Sequence, residues 1–340
     1  MKKIIFSKYG EAQEVAELIE VENLQLSGSD DVLISLVASP INPSDFLTST
    51  GDYGLSPVKL PSGLGKEVMG RVEQTGKNVK DISIGDLVYF SSKDNAWTEE
   101  FIRPRKSLTL LPNNTGIDPL QQCLGIASPL TAYLMLERYV NLSSGEWIIQ
   151  NSANSSVGTN VIKIAKMKGI RTVNIVRNEG SVQQLLDIGS DIVLVQNDYL
   201  SEQVEEALEG ADIKLALDAI GGVATNDISR CLTYGGLVLN YGLLSGKNCQ
   251  LSPKLTIFNE ITLKGFCLTS WYRAEMLEYV REVMDMLIRQ VSNGELSVPL
   301  EANYSLDQYK EALSHASKSG RHGKILFTGP GYSRLEPREI

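Results

Sequence analysis

Up to about residue 115 the apolar positions come in short runs broken by glycine and aspartate. Val32-Leu33-Ile34-Ser35-Leu36-Val37 reads as a β-strand, and the stretches from Gly70 to Gly76 and from Gly85 to Phe90 read as two short ones bounded by turns. From about residue 118 the pattern changes to helix alternating with strand. A helix is expected from Pro129 to Tyr139, then a strand at Trp147-Ile148-Ile149. Val157, Val161, Ile164 and Ala165 follow at helical spacing, with Gly169 where that helix should stop, and Thr172 to Val176 is the next strand. Further strands are expected at Ile192 to Val195, Leu215 to Asp218 and Gly236 to Tyr241, with helices around Gln203 to Leu208 and over about Arg273 to Ser292. Such alternation specifies an α/β fold with a doubly wound parallel sheet. The domains expected are a β-rich one over 1–117, completed by a returning segment 296–330 that ends in the strand Gly323 to Phe327, and a Rossmann dinucleotide-binding one over 118–295. The tail, 331–340, rich in proline, glycine and charge from Gly329 onward, is expected to be poorly ordered.

The most informative segment is Gln150-Asn151-Ser152-Ala153-Asn154-Ser155-Ser156-Val157-Gly158. It follows an apolar strand and opens an amphipathic helix, the geometry that sets a pyrophosphate on a helix N-terminus. In the G/A-x-x-G-x-x-G spacing Ser152 and Ser155 take the first two places and only Gly158 remains. Small side chains still permit close backbone approach, and their hydroxyls could bond phosphate. The strand–turn–helix–strand unit spans about thirty residues, as one half of a dinucleotide fold should. The same pattern also fits an ordinary βα turn of a parallel sheet that binds nothing.

Arg177 bears on that choice. The residue at the tip of the second strand selects the ribose: an acidic side chain suits a free 2′-hydroxyl, an arginine suits a 2′-phosphate. The tip here is Arg177-Asn178-Glu179, which favours NADPH over NADH, although Glu179 is an awkward neighbour for a phosphate.

Composition narrows the function classes. With 41 acidic against 32 basic residues in 340, the net charge of −9 argues against nonspecific nucleic-acid binding. No apolar run reaches transmembrane length, and the N-terminus runs straight into a strand-like pattern without a signal or import leader, so a cytoplasmic protein with no membrane partner is expected. Four cysteines, Cys123, Cys231, Cys249 and Cys267, are scattered without a C-x-x-C pair, and the only histidines are His315 and His322. No metal site is expected from them, nor a histidine acid/base. The basic cluster Arg103-Pro104-Arg105-Lys106 could meet phosphate groups, but reads better as a solvated charge run.

A β-rich N-terminal part, a dinucleotide fold with a small-residue fingerprint and a short C-terminal return together resemble the medium-chain dehydrogenase/reductase superfamily, which implies a GroES-like first domain. In its zinc alcohol dehydrogenases a cysteine ligand stands near the position of Asn42, and a Gly-His-Glu supplies another. This chain has Gly65-Lys66-Glu67 and no cysteine near Asn42, so it resembles the zinc-free branch. Within that branch, Ile41-Asn42-Pro43-Ser44-Asp45 followed by Gly51-Asp52-Tyr53-Gly54 is similar to the motif of the 2-enoyl thioester reductases. So are the Asn/Ser-rich fingerprint, Asn174-Ile175-Val176-Arg177, and Gly265-Phe266-Cys267-Leu268-Thr269-Ser270-Trp271.

The resemblance implies reduction of the C2=C3 bond of a 2-enoyl thioester carried on coenzyme A or acyl carrier protein, within fatty acid metabolism, by a homodimer joined through the edge of the cofactor sheet. Tyr53 would be the proton donor. A phenol has an ordinary pKa of about 10 and needs a matched site, and Gly51 and Gly54 let the turn present the ring; the same tyrosine could be an aromatic plug under a turn. Cofactor contacts carried over by resemblance are Ser128 and Thr131, Ser155, Ser156, Val157 and Gly158 at the pyrophosphate, and Arg177 at the 2′-phosphate. Tyr241, Gly242, Leu243 and Leu244 would flank the nicotinamide side, Phe266, Cys267 and Leu268 would add backbone contacts, and Lys324 would reach in from the returning strand. Two other readings stay open: a zinc-free quinone or enone reductase, and a protein that binds NADPH without turnover.

Overall fold

The computed structural model describes residues 1–93, 95–112, 118–123, 126–318, 320–321 and 323–335. Its chain divides into two compact units, Met1–Gly125 with Ile288–Ile340, and Ile126–Leu287. The first boundary lies beyond the expected 118 because the short helix Pro119–Cys123 packs on the strand Asp31–Pro40 of the first unit. The second falls inside the long helix Leu277–Ser292.

The first unit is built on the strand Asp31–Pro40. Its apolar run does not alternate, and both of its faces are buried. It pairs antiparallel with Glu67–Thr75 (Ile34 opposite Val72), with Glu100–Pro104, and with the returning strand Lys324–Thr328 (Phe327 opposite Ser39). Leu300–Ser305, Leu87–Ser91 and Thr109–Leu110 complete a seven-stranded sheet, and Ala16–Glu20, Lys2–Phe6 and Ser62–Gly63 form a second, three-stranded one. The core is closed by aromatic edges: Trp97 meets Phe327 at 4.9 Å and Phe90 meets Phe101 at 5.1 Å between ring centroids. His315, on the helix Tyr309–Ser317, stands between the Tyr304 hydroxyl and the Glu301 carboxylate, each at 2.9 Å, and so pins that helix to its strand. His322 lies outside the described residues.

The expectation of a poorly ordered tail does not hold through residue 335. Pro330–Ser333 form a short helix packed on Asp31–Pro40, and Gly331 is buried where an added Cβ would come within 2.7 Å of Ser35 Oγ. The Gly329 amide donates to Val37 O, and Arg334 pairs with Glu73 at 2.8 Å. Proline and glycine here serve close packing. Residues 336–340 lie outside those described.

The second unit holds six parallel strands in the order Ile192–Val195, Arg171–Val176, Trp147–Gln150, Ile213–Asp218, Leu237–Asn240, Thr262–Gly265. Strand order reverses direction between Trp147–Gln150 and Ile213–Asp218, and open α/β sheets take ligands at the carboxyl ends of the strands at such a switch point. Ile149, Val173, Ile175, Ala216 and Val238 form one face of the core, backed by Val204, Leu208 and Ile228. The opposite face carries Ile162, Val176 and Leu185. The expected strands and helices are present, with ends shifted by up to four residues. The helix expected from Pro129 runs over Ala127–Arg138, and that expected from Arg273 is a 3-10 turn, Ala274–Met276, before the α-helix.

Candidate active site

In the second unit the chain leaves the Trp147–Gln150 strand and enters the helix Ser156–Met167 through a tight turn. Ser152 has φ of 51°, the left-handed region, at the place where the fingerprint ordinarily has glycine. Ser155 is extended, at φ −73° and ψ 165°, and its Oγ accepts from the Gly158 amide at 3.1 Å. The serine therefore caps the helix itself, and the amides of Ser156 and Val157 remain at its opening. Gly158 is required by packing: a Cβ there would sit 2.5 Å from Ala153 O and force the helix off the turn.

Buried amides fix the turn from below. Gln150 Nε2 donates to Gly158 O at 3.0 Å and to Asn174 Oδ1 at 2.7 Å. Asn174 Nδ2 donates in turn to Thr172 Oγ1 and Ile192 O. The fully buried Asp218 carboxylate accepts from Asn151 Nδ2 (2.7 Å), Thr225 Oγ1 (2.7 Å), Asn240 Nδ2 (3.2 Å) and the amides of Ile220 and Gly221. One carboxylate thus ties together the carboxyl ends of three neighbouring strands, where the ligand site of such a sheet lies.

Of the residues singled out from the sequence, Arg177, Tyr241 and Phe266 directly follow the carboxyl ends of three of the strands. Arg177 is exposed just past Val176, and Asn154 Nδ2 reaches Ser181 Oγ (3.2 Å) in the turn that follows it. The Tyr241 hydroxyl is buried beside Ser155 without reaching hydrogen-bond geometry, and burial raises its pKa. Gly242 packs against Ala219, where a Cβ would come within 2.3 Å of the carbonyl oxygen, while Leu243 and Leu244 are about half exposed, at 47% and 54%. Phe266 is buried, its amide bonded to Asn240 O and its ring edge-on to Tyr139 at 6.0 Å. Cys267 is exposed with Sγ 3.0 Å from Thr269 Oγ1, and Leu268 opens a 3-10 turn. Ser128 and Thr131 are buried on the helix Ala127–Arg138. A capped helix N-terminus at a switch point, a buried phenol oxygen lacking a partner and a glycine-tight turn fit a dinucleotide diphosphate.

The first unit holds a separate polar network of its own. Asn42 precedes the helix Pro43–Thr50, which Pro43 opens and Gly51, at φ 86°, closes. The chain then turns so that the amides of Asp52 and Tyr53 both donate to Leu47 O, which fixes the base of the Tyr53 side chain. Gly65, at φ 85°, lies flat against Trp97, where a Cβ would come within 2.4 Å of the indole, and so sets the path into Lys66 and Glu67. Lys66 Nζ donates to Thr48 Oγ1 at 2.8 Å and stands 4.3 Å from the centroid of the Tyr53 ring.

Behind this pair Glu67, almost fully buried, accepts from Asn42 Nδ2 (2.8 Å) and Tyr89 OH (3.0 Å). Lys324, also buried, donates to Asn42 Oδ1. Asp45 is fully buried, accepts the Asn42 amide at 2.8 Å, and is raised by burial to a pKa of about 7, against the pull of Lys66. Among the described residues no group of histidine, cysteine, aspartate and glutamate is placed to hold a metal ion. Two of the basic cluster are internally engaged: Arg103 lies over the Phe90 and Phe101 rings and Arg105 pairs with Asp81 at 2.8 Å.

Comparison with known proteins places this architecture. Residues 28–129 match the alcohol dehydrogenase GroES-like domain and residues 156–287 the zinc-binding dehydrogenase domain. A relative from Caenorhabditis elegans, named enoyl-[acyl-carrier-protein] reductase, mitochondrial, is 34% identical over 334 residues, covering 95% of this chain and 94% of its own. The chain belongs to the enoyl-[acyl-carrier-protein] reductase family of the medium-chain dehydrogenase/reductases.

Two solved structures share the fold of this family member. The mitochondrial 2-enoyl thioester reductase heterodimer from Candida tropicalis is 24% identical with a TM-score of 0.84, covering 96% of this chain and 99% of the matched chain. The Escherichia coli quinone oxidoreductase complexed with NADPH is 23% identical with a TM-score of 0.85, covering 96% and 100%. The family resemblance read from the sequence is therefore correct, as are the parallel Rossmann-like sheet and the GroES-like domain.

Sequence reasoning did not find the polar network of Asn42, Asp45, Thr48, Glu67 and Tyr89. From the sequence, Asn42 and Asp45 stand in a family motif, and Asn42 and Gly65-Lys66-Glu67 mark departures from a zinc site. The available signal was the charged pair Lys66-Glu67 at the head of the apolar run Val68-Met69. A charge at the start of a buried strand needs a partner, and each here has one.

Proposed function

We propose that this chain reduces the C2=C3 double bond of 2-enoyl thioesters, on coenzyme A or acyl carrier protein, with NADPH as reductant and Tyr53 as proton donor. Family membership through relatives so named supports the reaction, and Arg177 beyond the second strand supports the phosphorylated dinucleotide. The observation that carries the mechanism is the Tyr53 turn, which fixes a phenol beside an ammonium at the edge of a polar network.

When bound, the dinucleotide supplies a hydride, and with it the electron pair, to Cβ. The chain's own residues do the rest. The helix opening at Ser155, Ser156, Val157 and Gly158 holds the diphosphate, with Arg177 at the 2′-phosphate. Tyr241, Gly242, Leu243, Leu244, Phe266, Cys267 and Leu268 bound the ring, Ser128 and Thr131 contribute from their helix, and Lys324 acts from the returning strand. As the π pair of the alkene forms the new Cα–H bond, the Tyr53 O–H bond breaks and the phenolate takes a proton back from solvent. The sum is enoyl thioester, NADPH and one proton going to saturated thioester and NADP⁺.

The test is NADPH and NADH consumption against enoyl-CoAs, 2-enals and quinones, with Tyr53→Phe alongside. The expected result is preferential NADPH oxidation with enoyl thioesters, and a loss of about 10²-fold or more in kcat for the variant with NADPH binding retained. Quinone turnover indifferent to Tyr53, or tight NADPH binding with no turnover at all, would overturn the proposal.

A further inference from the structure

We propose that Lys66 sets the acidity of Tyr53: its ammonium, held over the ring, stabilises the phenolate left by proton donation. This deepens the preceding proposal and rests on Tyr53 as donor. Three observations carry it. The Lys66 Nζ lies 4.3 Å from the Tyr53 ring centroid, where a cation meets the negative face of a π system. The ammonium is anchored by the Thr48 hydroxyl at 2.8 Å, and the backbone on both sides is fixed, by Gly65 against Trp97 and by the paired amides of Asp52 and Tyr53 on Leu47 O. The pair therefore keeps its spacing without substrate. Thirdly, Glu67 accepts from Asn42 and Tyr89, and Lys324 donates to Asn42, so both are held in the network behind the pair.

A cation attracts phenolate more strongly than phenol, so its presence lowers the phenol's pKa and makes it the better acid at neutral pH. Other titratable groups on the surrounding elements are Asp45 on the Pro43–Thr50 helix, Asp52 at its exit, Glu67 and Tyr89 on the two neighbouring strands, with the Arg71–Glu73 pair further along the first of them, and Lys324 on the returning strand. Asp45 changes charge near pH 7, well below the range in which a phenol titrates, so the two transitions separate in a pH profile. Lys66 acts through Tyr53 and is a positioning residue.

The experiment is a double-mutant cycle on the full-length protein with NADPH and crotonyl-CoA, read as kcat across pH 6 to 10.5. Lys66→Met is expected to lower kcat about 10-fold at pH 7 and to move the alkaline limb, where the donor loses its proton, up by about one pH unit, which is that same tenfold in acidity. Lys66→Arg is expected to restore most of both. In the Tyr53→Phe background Lys66→Met should change kcat no further. Thr48→Val, which removes the anchor and keeps the charge, gives a smaller shift in the same direction and serves if Lys66→Met does not fold.

An alkaline limb that stays in place in both Lys66→Met and Thr48→Val overturns the inference. So does an equal loss in the Tyr53→Phe background, which would mark Lys66 as merely structural. If Tyr53→Phe alone keeps full activity, the donor assignment of the preceding section has failed, a result distinct from an unmoved limb with Tyr53 essential.

Discussion

At the scale of single residues the first unit stores a pH dependence in Asp45. Its carboxyl holds a proton up to about pH 7 in the folded chain and releases it near 3.8 when unfolded. Between those values the folded state binds more protons, so stability falls as pH rises through the window, and the penalty is complete above 7. Asp45→Asn keeps an acceptor for the Asn42 amide and removes the titration. Urea unfolding at pH 5 and pH 8 is expected to show a stability loss in the parent protein and a flat response in the variant; equal slopes would refute the assignment. Of the candidate residues, Tyr53, Gly158 and Arg177 were legible because each sits in a local motif whose spacing fixes its place. Asp45, Thr48 and Lys66 were not, because their meaning depends on contacts between a helix and a strand separated in sequence.

At the scale of elements the fingerprint turn departs from the glycine-rich form in two ways that the backbone explains. Ser152 adopts a left-handed conformation that costs a non-glycine residue about 1 kcal/mol. Ser155 recovers a similar amount by capping the helix. The polar clamp at Asp218 holds the strand ends that frame the turn. Asp218→Ala would leave the buried side-chain donors of Asn151 and Thr225 without their acceptor, while Asn240 keeps Gly242 O, and is expected to destabilise the protein by about 3 kcal/mol in chemical denaturation. A loss below about 1 kcal/mol would show that these donors find water or other acceptors. The alternation of strand and helix was readable from periodicity alone. The clamp was not, since Asn151, Asp218 and Asn240 are spaced by the strand order rather than by the chain.

At the scale of the whole molecule, the last strand of the parallel sheet, Thr262–Gly265, has among the described residues a neighbour on one side only and is exposed along its length. Next to it in sequence, Ile257 and Phe258 stand 65% and 72% exposed. An open edge with bulky apolar residues beside it invites pairing with a second copy. We expect a homodimer through this edge: sedimentation of the purified protein should give twice the chain mass, and Leu263→Pro, which removes an edge amide and adds a ring, should shift it toward monomer. A monomer in the parent protein at micromolar concentration would refute this. The sequence by itself determined the α/β alternation, the returning strand and the turn that opens on Gly158, because each is written in the period and punctuation of a contiguous stretch. Only the tertiary structure decided that the chain end through residue 335 is packed on the sheet, that Asp218 gathers three strand ends, and that an ammonium rests on the Tyr53 ring. Those depend on which distant segments share a surface, and local hydrophobic pattern carries no record of that.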